Sequence, residues 1–364
     1  MEFLVLAFAA LLAFANGAND NSKGVATLVG YGAASPRPAL AWAAVTTAMG
    51  AAIGAVIGGR LVQVFRAGFI GGGKDLSPEF FAAVLIGAFS WVLFATRTGL
   101  PVSTTHSILG GLLGAGLVEV GITQIGWATL AQKSVLPLLT SPLVAMALVL
   151  IAGRPLATLV ARLEPRCICA VQTTEISTSG EAAVTSPRIA LVTGKTETCA
   201  VHSPSASVSG RGLANAAHWG TSGLVGLARG WNDTPKIAAL AMIAMPASAS
   251  TFGAFVLIAV AMALGGLLAG RRVLATLAEK ITPLPLGESL ASSGVSAVLV
   301  ALASWQGLPV STTHVTTGGI VGAGVARSAR EVHWPVVRHV ALSWVVTLPA
   351  AALVAAGARM LLAA

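Results

Sequence analysis

The stretch GLPVSTTH occurs twice in the sequence, at Gly99–His106 and again at Gly307–His314. Each copy lies between apolar runs, although its serine, two threonines and histidine are poorly suited to a bilayer. The similarity continues past the histidine, because Pro101–Leu117 and Pro309–Val325 are identical at 11 of 17 positions, at an offset of 208 residues. A chain that repeats its most polar stretch together with its surroundings has been duplicated internally.

A second pair of motifs extends the duplication. NGANDNSKGVATLVG (Asn16–Gly30) corresponds to RGWNDTPKIAALAMI (Arg229–Ile243) at an offset of 213. The polar residues that align are Asn19, Asp20 and Lys23 in the first copy, and Asn232, Asp233 and Lys236 in the second. The two pairs occur in the same order, so the chain divides into a first membrane repeat (1–152), a polar connection (153–212) and a second membrane repeat (213–364).

Composition places these repeats in a membrane. Of the 364 residues, 55% are hydrophobic and 10% are charged, whereas soluble domains have roughly 25% charged residues. Apolar runs recur along the whole chain. In lipid, only α-helices and closed β-barrels can satisfy all of their backbone hydrogen bonds. We therefore predict an all-α polytopic membrane protein, a multi-pass protein of the cytoplasmic membrane. The net charge of +9 comes mostly from single basic residues in connections, as at helix ends in membranes, and does not indicate nucleic-acid binding.

The three cysteines lie together in the polar connection, at Cys167, Cys169 and Cys199. A four-coordinate zinc site would need a further ligand, for which His202 is the candidate. Because Cys-x-Cys with one distant cysteine is a weak metal signal, we favour three reduced cysteines without a metal.

Segment lengths predict that the motifs lie at the middle of the membrane. Leu4–Ala15 covers about 18 Å of helix, half of a hydrocarbon core, before the first Asn-Asp pair. Gly17 and Gly24 are placed to unwind the helix around that pair. Ser107–Val118 is equally short, so we predict broken helices and re-entrant half-helices. Duplicated halves with a site at their interface are common in secondary transporters.

The residue types of PVSTTH are suited to the start of a helix that binds an anion. Proline favours the first turn and serine or threonine the N-cap, and the free N–H groups of a helix N-terminus attract anions. The hydroxyls that would add donors are those of Ser103, Thr104, Thr105, Ser311, Thr312 and Thr313. The alternative is that these hydroxyls bond back to their own helices.

Asp20 and Asp233 are candidate sites for a coupling cation, since a carboxylate within a membrane by default marks an ion or proton path. Asn19 and Asn232, with backbone carbonyls, could complete a sodium shell. The alternative is a structural ion pair with a neighbouring lysine. Lys23 and Lys236 could also attract an anion, and His106 and His314 could carry protons or donate a hydrogen bond that holds the half-helix.

The motifs GAND (Gly17–Asp20), WNDTPK (Trp231–Lys236) and both PVSTTH copies resemble the signatures of the PiT family of inorganic phosphate transporters. The resemblance covers nearly the whole chain outside the connection. It implies two inverted-topology repeats, a homodimer, a cytoplasmic connection, and symport of phosphate with sodium or protons. It also implies that the six hydroxyls bind the anion, while the two aspartates serve the coupling ion. We add Asn19 and Asn232 as candidate substrate-binding residues. The sequence departs from the family at Arg229-Gly-Trp231, where many members have His-Gly and a small residue.

Two other functions fit parts of the pattern. Some members of that family carry sulfate, which makes a sulfate permease the nearest alternative. A more distant alternative is an intramembrane serine hydrolase that uses Ser103, His106 and Asp20. No G-x-S-x-G elbow surrounds either serine, and a hydrolase has no use for two equivalent nucleophiles. The sequence therefore favours a transporter that needs no cofactor beyond its coupling cation.

Overall fold

The computed structural model describes residues 1–67, 70, 76–179, 182–201, 206–245 and 251–363. Within these ranges its helices are α1 (Glu2–Gly30), α2 (Pro36–Ile57), α3 (Gly59–Ala67), α4 (Pro78–Thr98), α5 (Thr104–Glu119), α6 (Trp127–Leu130), α7 (Leu136–Leu163), α8 (Thr196–Val201), α9 (Gly210–Ala241), α10 (Thr251–Ala269), α11 (Arg271–Glu279), α12 (Leu286–Gln306), α13 (Thr312–Ser328) and α14 (Trp334–Ala363). Short 3-10 turns at Ile122–Gln124 and Met242–Ala244 and a π turn at Ala131–Val135 adjoin them.

Seven of the described helices are long and apolar enough to span a bilayer, namely α1, α2, α4, α7, α10, α12 and α14. Many of their large apolar side chains are exposed in the isolated chain, as is expected when lipid rather than water is the solvent. The prediction of a helical multi-pass membrane protein is confirmed.

Both GLPVSTTH stretches break a helix, as predicted. α4 and α12 end at Gly99 and Gly307, whose φ angles of 75° and 72° are left-handed and suit glycine. Extended residues follow, and α5 and α13 then begin immediately after Ser103 and Ser311. α5 has 16 residues, about 24 Å of helix, which is too short to cross a hydrocarbon core.

The Asn-Asp motifs do not break their helices, so that part of the prediction was wrong. α1 continues for 29 residues through Asp20, and α9 for 32 residues through Asp233. Gly17 serves close packing instead of unwinding. A Cβ at Gly17 would lie 1.9 Å from the carbonyl oxygen of Met262, so glycine lets α10 approach α1 at this level.

The two repeats exchange helices. α7 follows α5 in the chain but packs on α12 and α13, and α14 follows α13 but packs on α4 and α5. Similarly, α1 packs on α10, and α2 packs on α9. Each PVSTTH helix is therefore enclosed by helices from both halves, and the site is built at an interlocked interface.

The connection between the repeats carries a small antiparallel sheet that was not predicted. α7 continues past Gly153 to Leu163, and strands β1 (Arg166–Ser179), β2 (Ala182–Lys195) and β3 (Ala206–Ser209) then pair in the order β2-β1-β3.

The structure corrects the prediction of three reduced cysteines. The pairing of β1 with β2 brings α8 back to the start of β1, where Cys167 and Cys199 form a disulfide with Cα atoms 6.7 Å apart. Cys169 is free and buried beside them. His202, the proposed fourth zinc ligand, lies outside the described residues.

Candidate functional site

The two PVSTTH segments meet in the interior, as the duplication predicts. Thr105 of the first copy directs its Oγ1 at the carbonyl oxygen of Val310 at 3.4 Å, and Thr313 of the second donates to the carbonyl oxygen of Val102 at 2.6 Å. Each threonine thus contacts the extended residues that precede the other half-helix. The N-termini of α5 and α13 are held against each other by these reciprocal bonds.

Ser103 and Ser311 are the N-caps of these half-helices. The Ser103 hydroxyl accepts from the backbone N–H of His106 at 3.2 Å, and Ser311 accepts from that of His314 at 3.3 Å. The alternative in which hydroxyls bond to their own helices therefore applies to the serine oxygens. Each hydroxyl retains its proton, which is free to be donated to an anion at the helix end.

Thr104 links the first half-helix to α1. Its Oγ1 accepts from the Nδ2 of Asn16 at 3.0 Å and lies 3.4 Å from the Oδ2 of Asp20. Thr312 is the equivalent residue of α13 and is also buried, with 2% of its surface exposed. All six hydroxyl residues predicted from the sequence are thus buried.

Both aspartates are buried and paired with the lysine three residues later. Lys23 forms a salt bridge with Asp20. Lys236 lies 3.1 Å from Asp233, with the Nζ facing Oδ1. The ion pairs that the sequence offered as an alternative are therefore present. None of the four side chains is more than 5% exposed, so their charges act without solvent screening.

Asn19 and Asn232 support the broken segments. Asn19 donates to Thr96 and to the carbonyl of Leu100, each at 3.0 Å, and accepts from the N–H of Val102 at 3.1 Å. Asn232 donates to the hydroxyl of Ser304 at 2.8 Å. These bonds tie α1 to the end of α4 and α9 to the end of α12. Their role as anion ligands stays a prediction.

His106 and His314 lie side by side with ring centroids 4.7 Å apart. The Nδ1 of His314 lies 2.9 Å from the carbonyl oxygen of Leu138, and its ring stacks on Trp344. The Nδ1 of His106 and the Nε2 of His314 are buried and have no hydrogen-bond partner among the described residues. Two ring nitrogens are therefore available to a ligand or a proton.

Arg229 is a member of the site that the sequence reasoning did not select. Its guanidinium, fully buried, donates to the side-chain oxygens of Asn16 and Asn21 and to Thr47 at 3.0 Å. Its Nε lies 3.4 Å from the Oδ2 of Asp233. The sequence feature that could have identified Arg229 is its position four residues before Asp233 in an apolar stretch, which puts both side chains on one face of a helix.

The buried site carries more positive than negative charge. Lys23, Lys236 and Arg229 supply three formal positive charges, and Asp20 and Asp233 supply two negative charges. One positive charge thus remains uncompensated among these five groups, beside two helix N-termini that also attract anions. A buried, uncompensated cation is costly, and a bound monoanion would neutralise it.

Comparison with known proteins identifies the family of this chain. The model of a family described as the phosphate transporter family matches residues 16–355. The chain belongs to the phosphate transporter family. As a member of that family it is a multi-pass membrane transporter of phosphate and not an enzyme, and the serine hydrolase alternative is set aside. A hydrolase would need a hydrogen bond between Ser103 and the ring of His106. Among the described hydrogen bonds, Ser103 instead accepts from the backbone N–H of His106.

Relatives of this phosphate transporter family member cover nearly the whole chain. This chain is 31% identical to a putative phosphate permease of Thermococcus kodakarensis, over 95% of this chain and 93% of that protein. It is 28% identical to a probable low-affinity inorganic phosphate transporter of Mycobacterium bovis, over 97% of this chain and 75% of that protein. A solved structure titled the sodium-dependent phosphate transporter has the same fold, with a TM-score of 0.78 at 24% identity, covering 100% and 98% of the two chains.

Proposed function

We propose that this phosphate transporter imports inorganic phosphate by symport with a cation, and that the anion binds between the N-termini of α5 and α13. The observation that carries the proposal is the excess of buried positive charge where the two helix N-termini meet. The hydroxyl protons of Ser103 and Ser311 and the free N–H groups of α5 and α13 supply donors for the anion oxygens.

Phosphate fits the surrounding acceptors better than sulfate does. Near neutral pH phosphate carries at least one proton and can donate a hydrogen bond, whereas sulfate can only accept. The Nε2 of His314 is an unpartnered acceptor at this site, because the Nδ1 of the same ring donates to the carbonyl of Leu138. Sites with acceptors that must be satisfied discriminate strongly against ligands that cannot donate.

A symported cation is required because the anion alone would enter against the membrane potential. Each elementary charge that crosses the membrane is worth about 2.3 kcal/mol per 100 mV, and the interior of a cell is negative. Asp20 and Asp233 are the carboxylates that this proposal couples to the cation, which is sodium or a proton.

The test is uptake of radiolabelled phosphate into proteoliposomes that contain the purified protein, with sulfate as competitor. We expect phosphate to accumulate and a tenfold excess of sulfate to reduce its initial rate only weakly, by less than about twofold. Robust sulfate uptake without phosphate uptake would instead identify a sulfate permease. Empty liposomes are the control.

A further inference from the structure

The ammonium group of Lys23 lies in a cage of oxygen atoms contributed by both halves of the chain. Its Nζ contacts the carboxylate of Asp20, the hydroxyl of Thr313 and, at 2.9 Å, the carbonyl of Val102. The lysine is buried, with 3% of its surface exposed. Its three N–H donors are thus matched by three oxygen acceptors.

Lys236 lies in an equivalent cage. Its Nζ contacts Oδ1 of Asp233 at 3.1 Å, the carbonyl of Val310 at 3.1 Å, the hydroxyl of Thr105 at 2.7 Å and the side-chain oxygen of Asn232. The carboxylate, the carbonyl and the threonine around Lys236 are each the counterpart, in the duplicated motifs, of a group around Lys23. The carbonyls come from the extended residues after each helix break, and each threonine comes from the opposite half.

Oxygen sets of this kind bind hard metal cations. Carboxylates, backbone carbonyls and hydroxyls are the ligands of such ions, and unwound carbonyls near the midplane are a common element of sodium sites in transporters. An ammonium group carries the same charge as sodium. Anchored through its side chain, it occupies such a place without being exchanged with solution.

We propose that Lys23 and Lys236 are tethered cations that occupy the cation places beside Asp20 and Asp233, so that phosphate binding and uptake do not require sodium. Of the two coupling ions that the proposed function leaves open, this leaves the proton. The inference rests on that function, because it concerns which cation accompanies the anion.

Tethered charges support binding but do not drive accumulation. They remain in the protein through each cycle and move no net charge across the membrane, so a mobile cation is still needed against the potential. Sodium finds its carboxylate and carbonyl ligands already bonded to lysine. A proton needs only one acceptor, and the neighbouring rings of His106 and His314 each have one buried nitrogen without a partner among the described residues. The charged side chains that interact electrostatically with this histidine pair are Lys236, with His106, and Lys23, with His314.

The first experiment uses the wild-type protein in proteoliposomes. Phosphate uptake is measured at one pH with sodium or choline as the external cation, and then with an inward proton gradient in the absence of sodium. We expect equal rates, within about twofold, in sodium and choline, and accumulation driven by the proton gradient. Accumulation that occurs only with a sodium gradient overturns this inference and leaves phosphate transport standing. Absence of phosphate uptake under every gradient refutes the proposed function and this inference together.

The second experiment empties one cage. Lys23→Ala leaves the carboxylate of Asp20 and the carbonyl of Val102 in place, so a sodium ion can take the position of the ammonium group. We expect uptake by Lys23→Ala to fall at least about tenfold in choline, because the buried carboxylate is unpaired, and to recover when sodium replaces choline. Lys236→Ala tests the other cage in the same way.

The matched control is Lys280→Ala, which removes an exposed lysine and should leave uptake unchanged in both media. Full uptake by Lys23→Ala and Lys236→Ala in choline, with no response to sodium, would overturn the tethered-cation role. If either variant fails to fold, the wild-type comparison of sodium with choline still decides the matter, because it needs no substitution.

Discussion

Asp20 and Asp233 hold equivalent positions in the two repeats but compensate different amounts of charge. Asp20 pairs with Lys23. Asp233 pairs with Lys236 and also lies 3.4 Å from the Nε of Arg229. The duplication therefore hides an asymmetry, because Arg229 aligns with Asn16 of the first half at the same offset of 213. Arg229 and Asn16 are also in direct contact.

This asymmetry predicts different costs for removing the two carboxylates. Asp20→Asn and Asp233→Asn should each stop concentrative uptake. Loss of either carboxylate leaves a buried lysine uncompensated, and the more positive site retains the anion. Breaking a buried ion pair costs about 3–5 kcal/mol, and Asp233→Asn should lower the unfolding temperature more, since it leaves two cations unpaired. Thermal unfolding of the purified variants and phosphate uptake under separate sodium and proton gradients are the measurements. Wild-type accumulation in both variants would show that neither carboxylate is needed in the transport cycle.

At the scale of elements, α12 differs from its counterpart α4 by a row of buried serines. The α12 serine face consists of Ser289, Ser292, Ser293 and Ser296, whereas α4 has Phe81, Val84, Leu85 and Ala88 at the same offset of 208. Three of these serines line a small cavity together with Lys23 and Thr316. The hydroxyl of Ser296 has no hydrogen-bond partner among the described residues.

We predict that the α12 serine face forms a polar route for the anion to Lys23, because three of its hydroxyl residues line the cavity beside that lysine. Replacing Ser292 with Val and Ser296 with Ala gives α12 the residues of α4 and should slow phosphate uptake several-fold, about threefold or more, if one hydrogen-bonding partner is lost along the route. Replacing Ser296 should not lower the unfolding temperature, because its hydroxyl has no partner among the described residues. Initial uptake rates in proteoliposomes are the measurement.

Ala88→Ser is the matched control for this pair of substitutions. It places a serine at the corresponding position of α4, which does not line that cavity, and should leave the uptake rate unchanged. An unaltered rate in the double variant would show that the anion reaches Lys23 by another route.

At the scale of the whole molecule, the exchange of helices makes each repeat depend on the other. α5 is covered by α14, and α13 by α7, so a single repeat would expose the buried surfaces of its own half-helix. The polar connection, by contrast, lies outside the helices that enclose the site. Its cytoplasmic location and the homodimeric state stay predictions from the family resemblance.

We therefore predict that neither repeat folds alone. Chains 1–163 and 206–364, expressed separately, should be degraded or aggregate, because each lacks the helices that cover its PVSTTH segment. Expressed together, they should co-purify and restore phosphate uptake, since the break removes only the connection. Accumulation of a monodisperse, phosphate-binding first repeat on its own would contradict the interlocked architecture.

Local sequence determined the class of the protein and the position of its site. Membrane insertion follows from composition, and the two helix breaks follow from glycine, proline and serine within eight residues, because turns and caps are set by neighbours in the chain. The repeated Asn-Asp and PVSTTH motifs likewise identified most of the polar residues that meet in the interior. The resemblance carried by those motifs predicted phosphate transport, which the family comparison confirmed.

Tertiary structure decided what those residues do to one another. Lys23 bonds to Thr313 and Arg229 bonds to Asn16, although the partners are 290 and 213 residues apart. Likewise, α10 packs closely on α1 at Gly17, and the pairing of β1 with β2 brings Cys167 near Cys199. Such contacts depend on which helices become neighbours, and that outcome is set by burial over the whole chain and not by any local pattern.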